Sequence, residues 1–281
     1  LTTGDQYRKG YGPFIPGVVH LPYPYCYRCL FNREYPDCGL YCMNYLTDIM
    51  LKKITPPDET AFILLEPIQG EGGVRCPNAG YLEAVRALCD ETGALLIFDE
   101  IQTGMGRTGK LFAYEHFGIE PDIMTLAKAL ANGLPMGAML AREQMAEAFG
   151  PGSHATTFGG APLVTAASRA VLRLMLENDI PEACRQTSAY FFDMLLRLKE
   201  RHPIIEEVRG LGLLLGLKLA VDAEPVVLAC LERGFLINWV QGDILRFVPP
   251  LIVTTQEIDR LIDCLEDVLT DLVRAEMTMA R

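Results

Sequence analysis

Asp122-Ile-Met-Thr-Leu-Ala-Lys128-Ala-Leu130, read with Leu95-Leu-Ile-Phe-Asp99-Glu-Ile-Gln102, decides the fold class. Each is a short apolar run that ends in a polar side chain, and the glycine-rich segment from Gly104 to Gly109 lies between them. Runs too short for free-standing helices and separated by helical patterns read as buried strands of a parallel sheet. In open α/β sheets, ligands bind just beyond the carboxyl ends of the strands. Asp99 and Lys128 both fall there, so an acid and an amine at neighbouring strand ends are the first suggestion of a site.

Working outward, Ala61 to Glu66 reads as a strand that runs into the glycine-rich loop Pro67-Ile-Gln-Gly-Glu71-Gly-Gly73. Gly80 to Thr92 reads as an amphipathic helix with Leu82, Val85, Leu88 and Cys89 on one face and Gly93 as its stop. Strand, helix and strand make a βαβ unit, whose crossover is right-handed. A further strand is expected at Met136 to Ala141, and Pro162 opens a helix to about Asn178. Before all of these, residues 1–60 are loop-rich, with a helix near Leu40 to Lys53 ended by Pro56-Pro57.

After residue 180 the pattern changes. A helix over 181–200 is followed by strands at Ile204 to Arg209 and Leu211 to Leu219, a helix at 224–233, and strands at Phe235 to Asn238 and Ile244 to Val248. Thr254-Thr-Gln-Glu257 fits a capping box that opens a last helix. The expected architecture is α/β: part of a large domain with a mostly parallel sheet over 1–180, and a smaller α+β domain over 181–281.

Half of the 281 residues are hydrophobic and 22% are charged, which indicates a globular chain able to bury a large core. The net charge of −11 argues against a nucleic-acid partner. No apolar run reaches the roughly 18–20 residues that span a bilayer, and no basic-then-apolar leader is seen, so the cytosol is the default compartment.

Lys128 has two readings. A lysine ending a strand can simply reach water, whereas a desolvated one is nucleophilic and forms a Schiff base with an aldehyde. Asp99 is a cap or surface group if alone; beside a heteroaromatic cofactor it can keep a ring nitrogen protonated. Gln102, on the turn after Asp99, can donate to a phenolic oxygen on such a ring.

Four ordered motifs make a resemblance specific: Glu66-Pro-Ile-Gln-Gly-Glu-Gly-Gly73, Ile97-Phe-Asp-Glu-Ile-Gln-Thr-Gly-Met-Gly-Arg-Thr-Gly109, Thr125-Leu-Ala-Lys-Ala-Leu-Ala-Asn-Gly-Leu-Pro-Met-Gly-Ala138 and Leu245-Arg-Phe-Val-Pro-Pro-Leu251. Over nearly its whole length the chain resembles the class III aminotransferases, pyridoxal-phosphate enzymes of fold type I that include the 4-aminobutyrate, ornithine and acetylornithine aminotransferases. The resemblance implies that Lys128 forms the Schiff base with pyridoxal 5'-phosphate and shuttles the proton between the substrate carbon and the cofactor. It implies Asp99 as partner of the pyridinium nitrogen and Gln102 as contact to the ring hydroxyl. Thr157 would reach the cofactor phosphate of the other subunit, which implies a homodimer. Arg246 would clamp the substrate carboxylate, a task suited to the bidentate guanidinium. Glu71 stands where family members carry a glutamate that masks this arginine, against the plainer reading of a solvated loop residue. The implied reaction moves an amino group from an ω-amino acid, of the 4-aminobutyrate or ornithine type, to 2-oxoglutarate. A racemase or epimerase on the same scaffold, or a non-catalytic fragment serving only assembly, are the other readings.

The chain resembles the carboxyl-terminal two-thirds of such an enzyme. The family's Gly-Thr-Glu-Ala-Asn-like phosphate loop, which holds the anion at a helix N-terminus, has no counterpart in it. Nine cysteines in a cytosolic chain are expected to be mostly thiols. Cys26, Cys29, Cys38 and Cys42 follow C-x₂-C-x₈-C-x₃-C spacing, which is compatible with a structural zinc site, with four loop thiols, or with a redox pair at Cys26 and Cys29. Without the phosphate loop, the chain alone is expected to bind cofactor weakly and to turn over little or not at all. Mixing it with the missing segment should raise Schiff-base absorbance at the edge of the visible; full transaminase turnover by the chain alone would overturn this expectation.

Overall fold

A computed structural model describes the backbone of residues 2–279 and the side chains to residue 274. Two four-stranded sheets organise it. A single turn, α1 (Asp5–Arg8), precedes a long irregular segment, and α2 (Tyr41–Asn44) continues as a wide, π-type helix over Tyr45–Leu51. The first sheet holds β1 (Phe62–Leu65), β2 (Leu95–Asp99), β3 (Ile123–Leu126) and β4 (Ala138–Ala141) in that order. The first three strands are parallel, with Leu65 beside Phe98 and Asp99 beside Thr125, while β4 returns antiparallel along β3.

The helix α3 (Tyr81–Thr92) connects β1 to β2 and starts and stops at two glycines in the left-handed region, Gly80 and Gly93. Its apolar face, Leu82, Val85, Leu88 and Cys89, packs with Leu96 and Phe98 of β2 and with Met43, Leu46, Met50 and Leu51. Burying side chains of this size stabilises by roughly 1.5–3 kcal/mol each. Two acids pin the strands. Asp122 accepts the Leu96 amide at 2.8 Å and pairs with Arg86 at 2.8 Å. Glu100, 1% exposed, accepts the Thr103 hydroxyl and the Ala113 and Tyr114 amides, which fixes the loop that follows β2.

Next come α4 (Pro162–Glu177) and α5 (Ile180–Arg201), then the second sheet. It runs in the order β5 (Ile205–Leu211), β6 (Leu214–Leu219), β8 (Ile244–Phe247) and β7 (Asn238–Val240), all antiparallel. The helix α6 (Glu224–Glu232) precedes β7, and α7 (Thr255–Met279) closes the chain. The capping box forms: the Thr254 amide donates to the Glu257 carboxylate at 2.8 Å, and the Glu257 amide donates to the Thr254 hydroxyl at 3.3 Å. Phe191, Leu195, Leu217, Leu245, Phe247, Ile262 and Leu265 are among the residues of the largest core, between this sheet and α5 to α7.

Two elements differ from the expectation. Phe235 to Ile237 is not strand; β7 starts at Asn238 because Gln241 and Gly242 both adopt positive φ and turn the chain back, pairing Val240 with Ile244. Glutamine carries no strong turn preference, so the hairpin is hard to see in the sequence. The strand expected from Met136 begins at Ala138 and is largely exposed. Among the described residues no helix is long and apolar enough to cross a membrane.

The sheets meet through the glycine-rich loop after β2. Arg107 Nη1 donates to the carbonyls of Leu213 at 3.1 Å and Pro249 at 2.6 Å, and the Leu213 amide donates back to the Arg107 carbonyl at 2.9 Å. Gly212 sits in this crossing with φ +61°, where an added Cβ would lie 2.4 Å from the Arg107 oxygen and from the Thr108 backbone. Gly118 has nearly the same φ, +63°, but open space around it. Gly118→Ala is therefore expected to cost about 1 kcal/mol from the left-handed backbone alone, and Gly212→Ala about 2 kcal/mol more from overpacking. Urea unfolding of the two variants checks this; equal costs would show that the crossing is loose.

Candidate active site

The carboxyl ends of β1, β2 and β3 converge, and β8 of the second sheet supplies the facing wall. At the end of β1, Glu66 accepts the Gly70 amide at 2.8 Å, and a two-way bridge between Gln69 and Arg75 closes the glycine loop. At the end of β2, Asp99 Oδ1 accepts the Ile101 amide at 2.9 Å, a local turn that aims the carboxyl beyond the sheet. After β3 the chain bends into a 3₁₀ turn at Lys128–Ala131, with Lys128 itself in the left-handed region at φ +50°. For a side chain with a Cβ that conformation costs roughly 1–2 kcal/mol, and such strain clusters at functional sites.

Arg246, on β8, is 9% exposed. Its Nη1 reaches Glu71 Oε1 at 2.5 Å and Gln102 Oε1 at 3.3 Å, and its Nε reaches Asn238 Oδ1 at 3.3 Å. Gln102 Nε2 donates to the same Glu71 oxygen at 3.3 Å, so glutamine, glutamate and arginine form one closed triangle. The Gln102 amide packs over Gly70, where a Cβ would stand 2.5 Å from it. A side chain at position 70 would push the Gln102 amide out of the triangle.

The charges act on one another. Lys128 is exposed at the surface of this chain, but partial burial of its ammonium is the largest influence and lowers its pKa. Glu71 opposes this, Arg246 adds to it, and Asp99 and Glu66 favour the charged form. For Glu71, partial burial pushes the carboxyl up, but the Arg246 hydrogen bond and charge, with Gln102 and Lys128, outweigh it and hold the pKa below the ordinary value. Burial raises Glu66, against the hydrogen bond from the Gly70 amide.

The structure thus brings Asp99, Gln102, Lys128, Glu71 and Arg246 together. Thr157 stands apart, on the exposed 151–160 loop, and among the described residues makes no hydrogen bond to any of them. Cys26, Cys29, Cys38 and Cys42 line a separate cavity. Among the described residues no group of three or more His, Cys, Asp or Glu side chains stands ready to hold a metal ion.

Several residues that position the site were missed in the sequence. Arg209, 8% exposed on β5, donates from Nε and Nη2 to the Gly73 carbonyl at 2.8 and 2.6 Å and holds the glycine loop against the second sheet. Its signal was a charge inside the apolar run Val208-Arg-Gly-Leu-Gly-Leu-Leu-Leu215. Gln241 Nε2 donates to the Glu71 carbonyl at 2.8 Å from the β7–β8 hairpin, and nothing local in the sequence marks it.

The profile of the aminotransferase class-III family matches residues 1–269. The acetylornithine aminotransferase of Caldanaerobacter subterraneus subsp. tengcongensis is 44% identical over 272 residues, covering 96% of this chain and 63% of that protein. Among solved structures, acetylornithine aminotransferase from Elizabethkingia anophelis superposes with a TM-score of 0.74 at 35% identity, over 79% of this chain and 56% of that one. Ornithine aminotransferase from Toxoplasma gondii, described with partial occupancy of PLP at its active site, superposes with a TM-score of 0.81 at 32% identity, over 97% and 60%. The chain therefore spans less than two thirds of the length of these relatives.

Because the Glu71 pKa lies below its ordinary value, the pair with Arg246 contributes fully above the ordinary carboxylate range and is lost as pH falls through the depressed value. Glu71 is half exposed, so the pair contributes about 1 kcal/mol or less. NMR titration should find Glu71 below the ordinary value in the wild type and shifted upward in Arg246→Met. An unchanged titration would show that the two groups do not interact.

Proposed function

The chain belongs to the class III aminotransferases, and from that premise we propose that it serves a pyridoxal-phosphate-dependent transaminase. In this reading the enzyme moves an amino group from the terminal carbon of an ω-amino acid, of the ornithine or 4-aminobutyrate type, to 2-oxoglutarate. Residues 1–180 then count as part of the larger, cofactor-binding domain and 181–281 as the smaller one. The cytosol, where thiols stay reduced, is the compartment in keeping with nine free cysteines.

The observation that carries this reading is the Arg246–Glu71 pair, 2.5 Å long, within electrostatic reach of Lys128. A substrate whose reacting amine is at the end of its chain must present that end to Lys128 with its carboxylate remote. A bare guanidinium at Arg246 would pull the carboxylate in and turn the molecule round. Glu71 neutralises it for the donor. For 2-oxoglutarate the acceptor's own carboxylate takes Arg246 bidentately, and Glu71, half exposed on a glycine-rich loop, moves aside.

The ring end of pyridoxal phosphate fits the groups present. Asp99 Oδ2 accepts no hydrogen bond among the described residues and is available to a ring N–H. When bound, the cofactor supplies the aldehyde carbon that takes up the amine and a ring that accepts the electron pair from the substrate carbon. Asp99 holds the proton on the ring nitrogen, since a carboxylate stabilises the adjacent cation. Gln102, whose Nε2 here donates to Glu71, would donate to the ring's phenolic oxygen. Lys128 Nζ removes the proton from the amine-bearing carbon of the substrate; its lowered pKa keeps more of it as free base near neutrality than an ordinary lysine. A positioned base of this kind contributes ~10²–10⁴-fold. Thr157 would contact the cofactor phosphate in the site of a second subunit, so in this reading the enzyme is a homodimer with shared sites.

Borohydride reduction of the enzyme assembled with its amino-terminal part and one equivalent of pyridoxal phosphate should place the pyridoxyl mass on the peptide containing Lys128, and the Lys128→Ala form should lose that labelled peptide. In the enzyme assembled with its amino-terminal part, Glu71→Gln should lower kcat/KM for ornithine by about tenfold and leave that for glutamate within about twofold. Labelling of another lysine, or equal losses for both substrates, would overturn the assignment.

A further inference from the structure

A guanidinium is a rigid planar fork whose N–H groups form two edges that match a carboxylate. The side edge pairs Nε with Nη2, and the end edge pairs Nη1 with Nη2. The side edge is used elsewhere in this molecule. Arg185 gives Nε and Nη2 to Glu182 at 2.7 and 2.5 Å, and Arg201 gives the same two nitrogens to Glu266, both at 2.7 Å.

At Arg246 that edge is closed. Nε donates to Asn238 Oδ1 at 3.3 Å, while Nη1 is shared between Glu71 at 2.5 Å and Gln102 at 3.3 Å. Nη2, common to both edges, makes no hydrogen bond among the described residues. A carboxylate that binds through two N–H groups must therefore displace Asn238 from Nε or Glu71 from Nη1. The two are not equally movable. Asn238 stands directly across from Arg246 in the register of β7 and β8, so the strand ladder fixes it beside the guanidinium. On the other flank, the residue across from Arg246 is Gly216 of β6, which has no side chain to take Nε. Glu71 belongs to a loop, its side chain is 49% exposed, and it holds Nη1 through a single oxygen.

We propose that Asn238 is a positioning residue that sets specificity: by occupying Nε it forces a substrate carboxylate onto the end edge of Arg246, where Glu71 must leave first. The proposal deepens the reading of Arg246 as the carboxylate clamp and rests on it. Its consequence is exclusive occupancy. Exchange at the end edge replaces one carboxylate by another, so the guanidinium always faces one negative charge. With the side edge open, a carboxylate would dock bidentately while Glu71 stayed on Nη1. The mask would then no longer keep the carboxylate of an ω-amino acid away, and the donor would also enter with its α-amine toward Lys128. Discrimination between the two ends of the donor is a difference between two binding modes, and Asn238 removes the wrong one.

The test is NMR of the enzyme assembled with its amino-terminal part and pyridoxal phosphate, titrated with glutarate, a dicarboxylate with no amine or keto group to react. In the wild type, saturating glutarate should leave the Arg246 Nε–H resonance in place and move the Glu71 titration up toward the ordinary carboxylate value. In Asn238→Leu, which removes the acceptor and keeps a side chain of similar size, glutarate should shift the Nε–H resonance and leave Glu71 on Nη1. Asn238→Asp supplies an acceptor again and should restore the wild-type pattern. The products formed from ornithine are the second readout. Transfer from the terminal carbon should dominate in the wild type, whereas Asn238→Leu should raise the share of the 2-oxo acid by at least about fivefold. Should the leucine variant misfold, the wild type alone decides: a shifted Nε–H with Glu71 still on Nη1 would overturn the proposal. An unchanged product ratio in folded Asn238→Leu would overturn it too. Unchanged glutarate affinity in Arg246→Met is a separate failure, which would remove the clamp and the proposal with it.

Discussion

Two guanidinium groups that donate to backbone carbonyls hold the two sheets in one frame, and the candidate site exists only inside that frame. Arg107, whose pKa burial lowers, reaches from the loop after β2 to the carbonyls of Leu213 and Pro249. Arg209 reaches from β5 to the carbonyl of Gly73 in the loop after β1. A buried cation left unpaired is costly, so each arginine enforces the docking of the loop it touches. Both loops spring from carboxyl ends of the parallel strands, and both are pressed against the sheet that carries Arg246. Asp99 and Lys128 come from one sheet and Arg246 from the other, and these two crossings, with the buried cluster of Ile68, Val74 and Leu214, fix the distance between them.

Within the frame, charge balance sets the chemistry. Lys128 and Arg246 supply two cations, and Asp99, Glu71 and Glu66 supply three carboxylates. Glu71 is the more exposed member, about half exposed on a glycine-rich loop, whereas Arg246 is nearly buried and held by Asn238. Moving the exposed partner and keeping the buried one fixed is the lower-cost way to switch such a pair. Gln102, on the turn that follows Asp99, touches both members of the pair.

The strand ends, the helix between two glycines at 80 and 93, the capping box at Thr254 and the pairing of Glu71 with Arg246 were all legible in the sequence. Their signals are local or are carried by family motifs: apolar period, a glycine where φ is positive, an acid three residues after a threonine. The β7 hairpin was not legible, because Gln241 turns the chain without being a turn former. Nor were Arg209 and Gln241 as supports of the glycine loop, because their partners are 136 and 170 positions away in the chain.

By itself the sequence determined which elements form and which polar groups end them, since propensity, periodicity and backbone sterics act over a few residues. It could number four cysteines at suggestive spacing, but not whether they meet. Only the tertiary structure decided that the four thiols share one cavity and that Arg246 closes a triangle with Glu71 and Gln102. It also decided that Lys128 sits strained and within reach of three acids. Those are distances between segments remote in sequence, and they are fixed by how the buried cores and the arginines between them pack.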